Sequence, residues 1–168
     1  MPEPPLSEVE ALRADHDVSA FDCGKPELTE WLRRFALTNH QAESVRVYVV
    51  HRGGRVVGYY ALASSAVSRS DAPVRVGRGL ANHPVPVILL ARLAVDGGEQ
   101  HQGLGAALLK DAFLRVARAA DEIGVRALLV HAQDEEARGF YEHFGFEPSP
   151  TDALHLFFLL KDVRQALA

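Results

Sequence analysis

The chain has 168 residues and a mass of 18.4 kDa, enough for one compact domain and too little for two ordinary ones. Hydrophobic residues make up 48% and charged residues 24%, a globular balance that excludes wholesale disorder, collagen and coiled coil. The 22 acids outnumber 15 Arg and 3 Lys, giving net charge −4, which argues against an evenly positive coat but leaves room for a local arginine patch.

Met1-Pro-Glu-Pro-Pro5 carries an acid and three prolines where a signal peptide needs basic and then apolar residues. No window approaches 18 uninterrupted apolar residues, so the chain reads as cytoplasmic, with no membrane span. Leu6, Val9 and Leu12 stand at helical spacing and predict a short helix over 6–13. Cys23 is the only cysteine, so an intramolecular disulfide and a thiolate metal cluster are both excluded. It sits in the turn-like Asp22-Cys23-Gly24, with no His at a recognisable catalytic spacing. Lys25 to Asn39 predicts a second helix, with Pro26 at its first position and Leu28, Trp31, Leu32 and Phe35 as its apolar face.

Two extended runs follow, Arg46–His51 and Arg55–Ser65, and the Gly53-Gly54 pair between them predicts a hairpin. Residues 66–84 read as a polar loop, long enough to suggest a functional role. Val85–Val95 is a near-continuous apolar run that predicts a strand buried on both faces. The next predicted helix presents Leu104, Leu108, Ala112, Val116, Ala120 and Ile123 on one face and stops at Gly124. Ala127–His131 predicts another buried strand, and His131 at its end reads as a satisfied polar group at the sheet edge, with an acid–base role as the alternative. Asp134 is the predicted N-cap of a helix running through Phe144, whose Phe140 and Phe144 are expected to pack, and Gly145 ends it. Leu154–Leu160 closes the sheet and a short helix follows, giving a single α/β domain over 1–168 with mixed strand directions and flanking helices. None of the eight His pair at metal-ligand spacing, so no metal is expected.

The glycine-rich turn Gly97-Gly98-Glu-Gln100-His-Gln-Gly103-Leu-Gly105 lies between a buried strand and a helix. Such a helix start is a ready anion site, because its amide hydrogens are unpaired and its dipole favours negative charge. The nucleoside-triphosphate loop is excluded, since Leu104-Gly105 stands where Lys and Ser/Thr are required. The dinucleotide fingerprint fails too, with Leu108 in place of its third glycine. What remains is Gln100-x-x-Gly103-x-Gly105, which alone is also compatible with a turn that binds nothing.

A second motif, Ala137-Arg-Gly-Phe140-Tyr141-Glu-His-Phe144-Gly145-Phe146, lies about thirty-five residues downstream. Together the two resemble the GNAT superfamily of N-acetyltransferases over roughly residues 45–160. The resemblance implies a GNAT-like fold with acetyl-coenzyme A as donor. Its pyrophosphate would be held by Gln100, His101, Gln102, Gly103, Leu104, Gly105 and Ala106. Leu93, Ala94 and Val95 would hold the pantetheine arm and the thioester carbonyl through backbone amides, an oxyanion-hole role. Asp134 and Ala137 would border the pantetheine, with Asp134 standing where many members have Asn. Tyr141, which on spacing alone reads first as a packed aromatic of the helix, becomes by this resemblance the acid for the departing thiolate.

Phe21-Asp-Cys-Gly24, Val56-Val-Gly-Tyr-Tyr-Ala-Leu-Ala63, Arg92-Leu-Ala-Val95 and Ala127-Leu-Leu-Val-His-Ala132 extend the resemblance to the TacT-like acetyltransferase toxins of type II toxin–antitoxin modules. That branch implies acetylation of the α-amino group of aminoacyl-tRNA, blocked translation, a homodimer and a ribbon-helix-helix antitoxin. The run Val85–Val95 offers no Asp or Glu, so no general base is expected, and a water-relayed Glu43 stays open. A lysine acceptor would then cost about 4 kcal/mol more than an α-amine to present neutral. Arg33, Arg34, Arg46, Arg75 and Arg78 are candidate tRNA contacts, Arg69 lies in the same basic loop, and Arg92 is either such a contact or a structural charge. Two alternatives stay open: an ordinary GNAT enzyme acting on a small amine or a protein N-terminus, and a non-catalytic module that retains coenzyme A.

Overall fold

In the computed structural model, which describes residues 2–168, the segment expected as the first helix is instead an edge strand. Ser7 N donates to His51 O at 2.8 Å and Leu12 N to Val47 O at 2.9 Å, with β1 (Glu10–Ala11) between them. Two turns of isolated helix are marginal in water, whereas a neighbouring strand edge satisfies the backbone and buries Leu12. The remaining elements are α1 (Pro26–Arg34), α2 (Ala36–Gln41), β2 (Arg46–Arg52), β3 (Arg55–Val67), α3 (Val74–Gly77), β4 (Val85–Val95), α4 (Leu104–Ala120), β5 (Ala127–His131), α5 (Glu135–His143), β6 (Glu147–Pro148), β7 (His155–Leu159) and α6 (Leu160–Leu167). The strands form a mixed seven-stranded sheet in the order β1-β2-β3-β4-β5-β7-β6, with β4 and β5 parallel, so the expected mixed α/β class is borne out. No helix among the described residues is long and apolar enough to cross a membrane.

The chain divides into two compact units. The first comprises residues up to Ala63 and Arg92–Ala112. Its β2/β3 hairpin turns through Gly53 (φ 57°) and Gly54 (φ 94°), the left-handed pair that a primed two-residue turn requires. The single helix expected over 25–39 is broken at Phe35, which is 50% exposed rather than part of the buried face. Leu28 and Leu32 are buried as expected, and Trp31 stacks on Tyr59 with ring centroids 5.9 Å apart. The Tyr59 hydroxyl donates to Leu28 O at 2.7 Å. Gly58 is where α4 comes closest: a Cβ there would lie 3.0 Å from both Leu108 Cδ1 and Val50 Cγ1.

Three side chains that sequence spacing leaves far apart clasp β1 to this unit. Glu10 Oε1 accepts from His16 Nε2 at 2.8 Å and from His51 Nε2 at 2.7 Å. These bonds hold the Glu10 carboxyl down at about 2, from an ordinary value of 4.5. A depressed carboxylate stabilises the fold above its unfolded value and loses that contribution as pH falls from about 4.5 towards 2. Glu10→Gln should therefore cost a few tenths to about 1 kcal/mol at pH 7, since the carboxylate is partly exposed and screened. Urea unfolding at neutral pH and near pH 2.5 should show that gap closing; an unchanged gap would refute the clasp.

The second unit comprises Ser64–Ala91 and Phe113–Ala168. Ala127 and Leu129 of β5 join Val85, Val87, Phe157 and Leu159 in one buried cluster. Leu128 and Val130 are buried as well, as expected of a strand covered on both sides. Residues 66–84 are more ordered than the expected loop, with a 3-10 turn at Arg69–Asp71 and the helical turn α3, and Ala72 and Val76 plug the same core. Their alternation with polar neighbours hid two anchoring residues.

Other expectations are corrected here. α4 ends at Ala120, four residues before Gly124, and leaves Ile123 61% exposed. Asp121 N and Glu122 N bond back to Arg118 O and Ala119 O, so a turn closes the helix without a glycine. Phe144 sits at the C-cap of α5, 36% exposed, with its ring against Phe140. His131 lies on an interior strand rather than an edge, stacked on its register partner His155 at 3.9 Å. Burial and the neighbouring His155 push its imidazole below its ordinary value.

Candidate acyl-donor and acid groups

In the first unit, the glycine-rich segment is anchored at its base by ion-paired and capping side chains. Asp96 accepts from Asp22 N through one oxygen (2.9 Å) and from Gly98 N through the other (3.0 Å). Glu99 is buried and receives Arg52 Nε at 3.1 Å and Arg52 Nη2 at 3.0 Å, a bidentate pair that composition could not reveal. Gln100 spends its side-chain amide on Cys23 O and Val95 O, both at 2.9 Å, so its NH2 group is a strut of the turn. His101 holds φ 64° and Gly103 φ 85°, both in the left-handed region, and Gln102 and Gly103 are exposed.

α4 begins immediately after this turn at Leu104. The first amides of a helix have no intrahelical acceptor, so Leu104, Gly105 and Ala106 present donors at its positive end. A Cβ at Gly103 would meet nothing within 4 Å, so the backbone there is open to a close-approaching group. This chemistry fits a diphosphate. Leu93, Ala94 and Val95 lie beyond Leu90, where the β4/β5 ladder ends.

Arg92, beside that segment, places its guanidinium 4.3 Å over the Trp31 ring and pairs with no carboxylate among the described residues. Of the other candidate basic residues in this unit, Arg34 pairs with Glu30 at 2.9 Å and Arg46 with Glu43 at 3.4 Å. Arg33 is exposed without a carboxylate partner among the described residues. Glu43, left open as a relayed base, is exposed and held in that pair. Cys23 is buried, with its thiol 3.3 Å from Thr29 Oγ1.

The cluster Glu10, His16 and His51 has its ligand-type atoms within 4.8 Å of one another, a grouping that spacing along the chain missed. Its hydrogen bonds argue against a metal. Arg13 N donates to His16 Nδ1 at 2.8 Å, and Gly54 N to His51 Nδ1 at 3.0 Å. Each ring therefore carries its proton on Nε2, where Glu10 accepts it, and neither imidazole has a lone pair left for an ion in this arrangement.

In the second unit, Asp134 caps α5 by accepting from Ala137 N at 2.9 Å, so these two predicted donor contacts are bonded to each other. Tyr141 is 7% exposed, with its ring against Phe140 and Phe146 at 5.2 and 5.3 Å. Burial pushes its phenol above the ordinary value of 10, so it is fully protonated at neutral pH. Its hydroxyl has no hydrogen-bond partner among the described residues, and no fully buried side-chain polar atom is left orphaned. The proton is therefore free to be given to a ligand. Arg75 is doubly paired, with Glu147 and Asp162, so its segment is free of acid in sequence but not in space. Arg78 is exposed with no carboxylate partner among the described residues.

Residues 43–148 match the family described as acetyltransferase (GNAT) domain. The "tRNA-acetylating toxin" of Mycobacterium tuberculosis (strain ATCC 25618 / H37Rv) is 57% identical over 148 residues, spanning 88% of this chain and 89% of that protein. A structure of AtaT complexed with acetyl-methionyl-tRNAfMet superposes with a TM-score of 0.90 at 31% identity, covering 98% and 100% of the two chains. A tyrosine-to-phenylalanine mutant of AtaT, bound to acetyl-CoA and the C-terminus of the antitoxin AtaR, gives a TM-score of 0.84 at 32% identity over 96% and 97%. With the family model matched over residues 43–148 and a relative 57% identical across 88% of its length, the chain belongs to the GNAT family of acetyltransferases and resembles the toxins within it.

Proposed function

We propose that this protein is a toxin that transfers acetyl from acetyl-coenzyme A to the α-amino group of aminoacyl-tRNA, stopping translation in the cytoplasm. The observation that carries the reading is the 57% identity to a tRNA-acetylating toxin across nearly nine-tenths of both chains. AtaT in complex with an acetylated methionyl-tRNA supports the same product class. The whole chain, 1–168, acts as one acetyltransferase domain, as a homodimer neutralised by a ribbon-helix-helix antitoxin; the complex of AtaT with the C-terminus of AtaR supports an antitoxin partner.

Bound acetyl-coenzyme A supplies an acyl group activated as a thioester. The amides of His101 to Ala106 receive its diphosphate, with Gln100 bracing the turn through Cys23 and Val95. The backbone of Leu93, Ala94 and Val95 aligns the acyl arm and takes the developing oxyanion, and Asp134 and Ala137 border it. As the C–N bond forms and the C–S bond breaks, Tyr141 gives its proton to the departing sulfur, and the proton shed by the acceptor nitrogen restores the phenol. Arg33, Arg78 and Arg92 are the tRNA contacts best placed to act, having no carboxylate to displace; Arg34, Arg46 and Arg75 join them by exchanging theirs.

The test is incubation of the purified chain with labelled acetyl-coenzyme A and bulk charged tRNA, followed by identification of the labelled aminoacyl species. Label in N-acetyl-aminoacyl-tRNA is expected. Turnover on free amines without dependence on charged tRNA would replace this reading with an ordinary acetyltransferase.

A further inference from the structure

The glycine-rich turn before α4 does not take the backbone its own residues prefer. His101 holds a left-handed φ of 64°, uncommon for a non-glycine residue, and His101, Gln102 and Gly103 are all exposed. A segment of that kind keeps one conformation only where its surroundings impose it. Its base is joined to the Asp22–Cys23 segment, with Gly97 N donating to Asp22 O at 2.8 Å and the Gln100 amide to Cys23 O at 2.9 Å. Its tie to β2 is made by side chains, the pair of Glu99 with Arg52 at the strand's end.

That pair is built for geometry as well as for charge. The Glu99 side chain is 8% exposed and that of Arg52 18%, so water screens the contact little. Arg52 Nε and Nη2 each meet a different Glu99 oxygen, and Nη1 donates to Pro4 O at 2.8 Å, so all three guanidinium nitrogens are engaged and its plane is fixed. Arg52 stands on a rigid support, opposite Arg55 in register at the end of the β2/β3 hairpin. Glu99 also places an acid two residues before His101, where an anion is to be received. Such a charge opposes an anion unless it is neutralised in place, and Arg52 does that.

Resting on the reading that the amides of His101 to Ala106 seat the diphosphate, we infer that Arg52 and Glu99 are positioning residues for donor binding. Their pair holds the turn in its bound shape before the donor arrives, so that binding carries no cost of ordering it. Both act through the turn, on the diphosphate part of the donor and not on its pantetheine arm.

The experiment measures binding of coenzyme A to the full chain by calorimetry, and of pantetheine, the same arm without the diphosphate, by NMR amide shifts at millimolar ligand. It contains no acceptor, so its outcome is separate from that of the acetyl-transfer assay. In the wild type, coenzyme A should shift the amides of His101 to Ala106; their absence would remove the diphosphate seat and this inference together. Arg52→Gln and Glu99→Gln should each weaken coenzyme A about tenfold and pantetheine less than about twofold. The two substitutions change the local charge in opposite directions, so a field effect alone would move affinity in opposite directions. A general loss of fold would weaken both ligands alike. Arg52→Lys keeps the charge without the planar fork and should weaken coenzyme A about threefold. Arg52→Gln combined with Glu99→Gln leaves no uncompensated buried charge, and should fold and still bind coenzyme A about tenfold more weakly, which decides the matter if a single variant does not fold. The proposal is overturned by wild-type affinity in the double variant or in Arg52→Lys, by opposite effects of the two single variants, or by an equal loss of pantetheine.

Discussion

Replacing Tyr141 by Phe should lower acetyl transfer by about 10²–10⁴-fold and leave the fold and donor binding intact. The ring that packs against Phe140 and Phe146 is retained, and the hydroxyl it loses bonds to no described residue, so no partner is orphaned. Tyr59→Phe is the contrasting control, since that hydroxyl serves Leu28 O and its loss costs stability of about 1–2 kcal/mol rather than turnover. Because burial raises the Tyr141 phenol, the donated proton is present throughout the physiological range and up to pH 9. Single-turnover transfer, donor binding by calorimetry and thermal unfolding check the three statements separately. Retention of transfer within about threefold would remove Tyr141 from the acid role.

How much of this was legible in sequence depends on whether the cause was local. The Gly53-Gly54 turn, the apolar run Val85–Val95 and the Asp134 cap each carry their own physical signal, and the structure forms all three, although Pro86 is exposed and Ala91, Arg92, Leu93 and Val95 are only half-buried rather than covered on both faces. Failures occurred where a distant partner decided the outcome. Leu6, Val9 and Leu12 have helical spacing, but the free edge of β2 was a better partner than solvent. Glu10, His16 and His51 become one cluster only through the β1/β2 register, and Glu99 meets Arg52 across 47 positions. Gln100 stands in the expected place but turns its amide to carbonyls, which motif spacing cannot convey. The pairing of Arg75, a candidate tRNA contact, is hidden in sequence because its acids lie 72 and 87 residues away in the chain.

At pH 7 the protein should acetylate an α-amine about 400-fold faster than an otherwise equivalent lysine side chain. Without a base, the rate follows the neutral fraction of the acceptor, about one-sixth for an α-amine of pKa near 7.7 and about 0.04% for a lysine near 10.4. The two carboxylates weighed against β4, Asp96 and Glu43, are already bonded. β4 carries none, Asp96 holds Asp22 N and Gly98 N with its two oxygens, and Glu43 is exposed beside Arg46. His131 is neutral at pH 7, its imidazole pushed down by burial and by His155, so it is the group to remove as a control. Transfer should rise tenfold per pH unit below the acceptor's own pKa and level off there, moving with the acceptor when the amine is changed. The preference over lysine should shrink steadily as pH approaches 10. An inflection that stays fixed across acceptors, or that disappears in His131→Ala, would show that the protein supplies a base. Esterification to tRNA lowers the α-amine further, which makes aminoacyl-tRNA the acceptor such a base-free centre is best able to use.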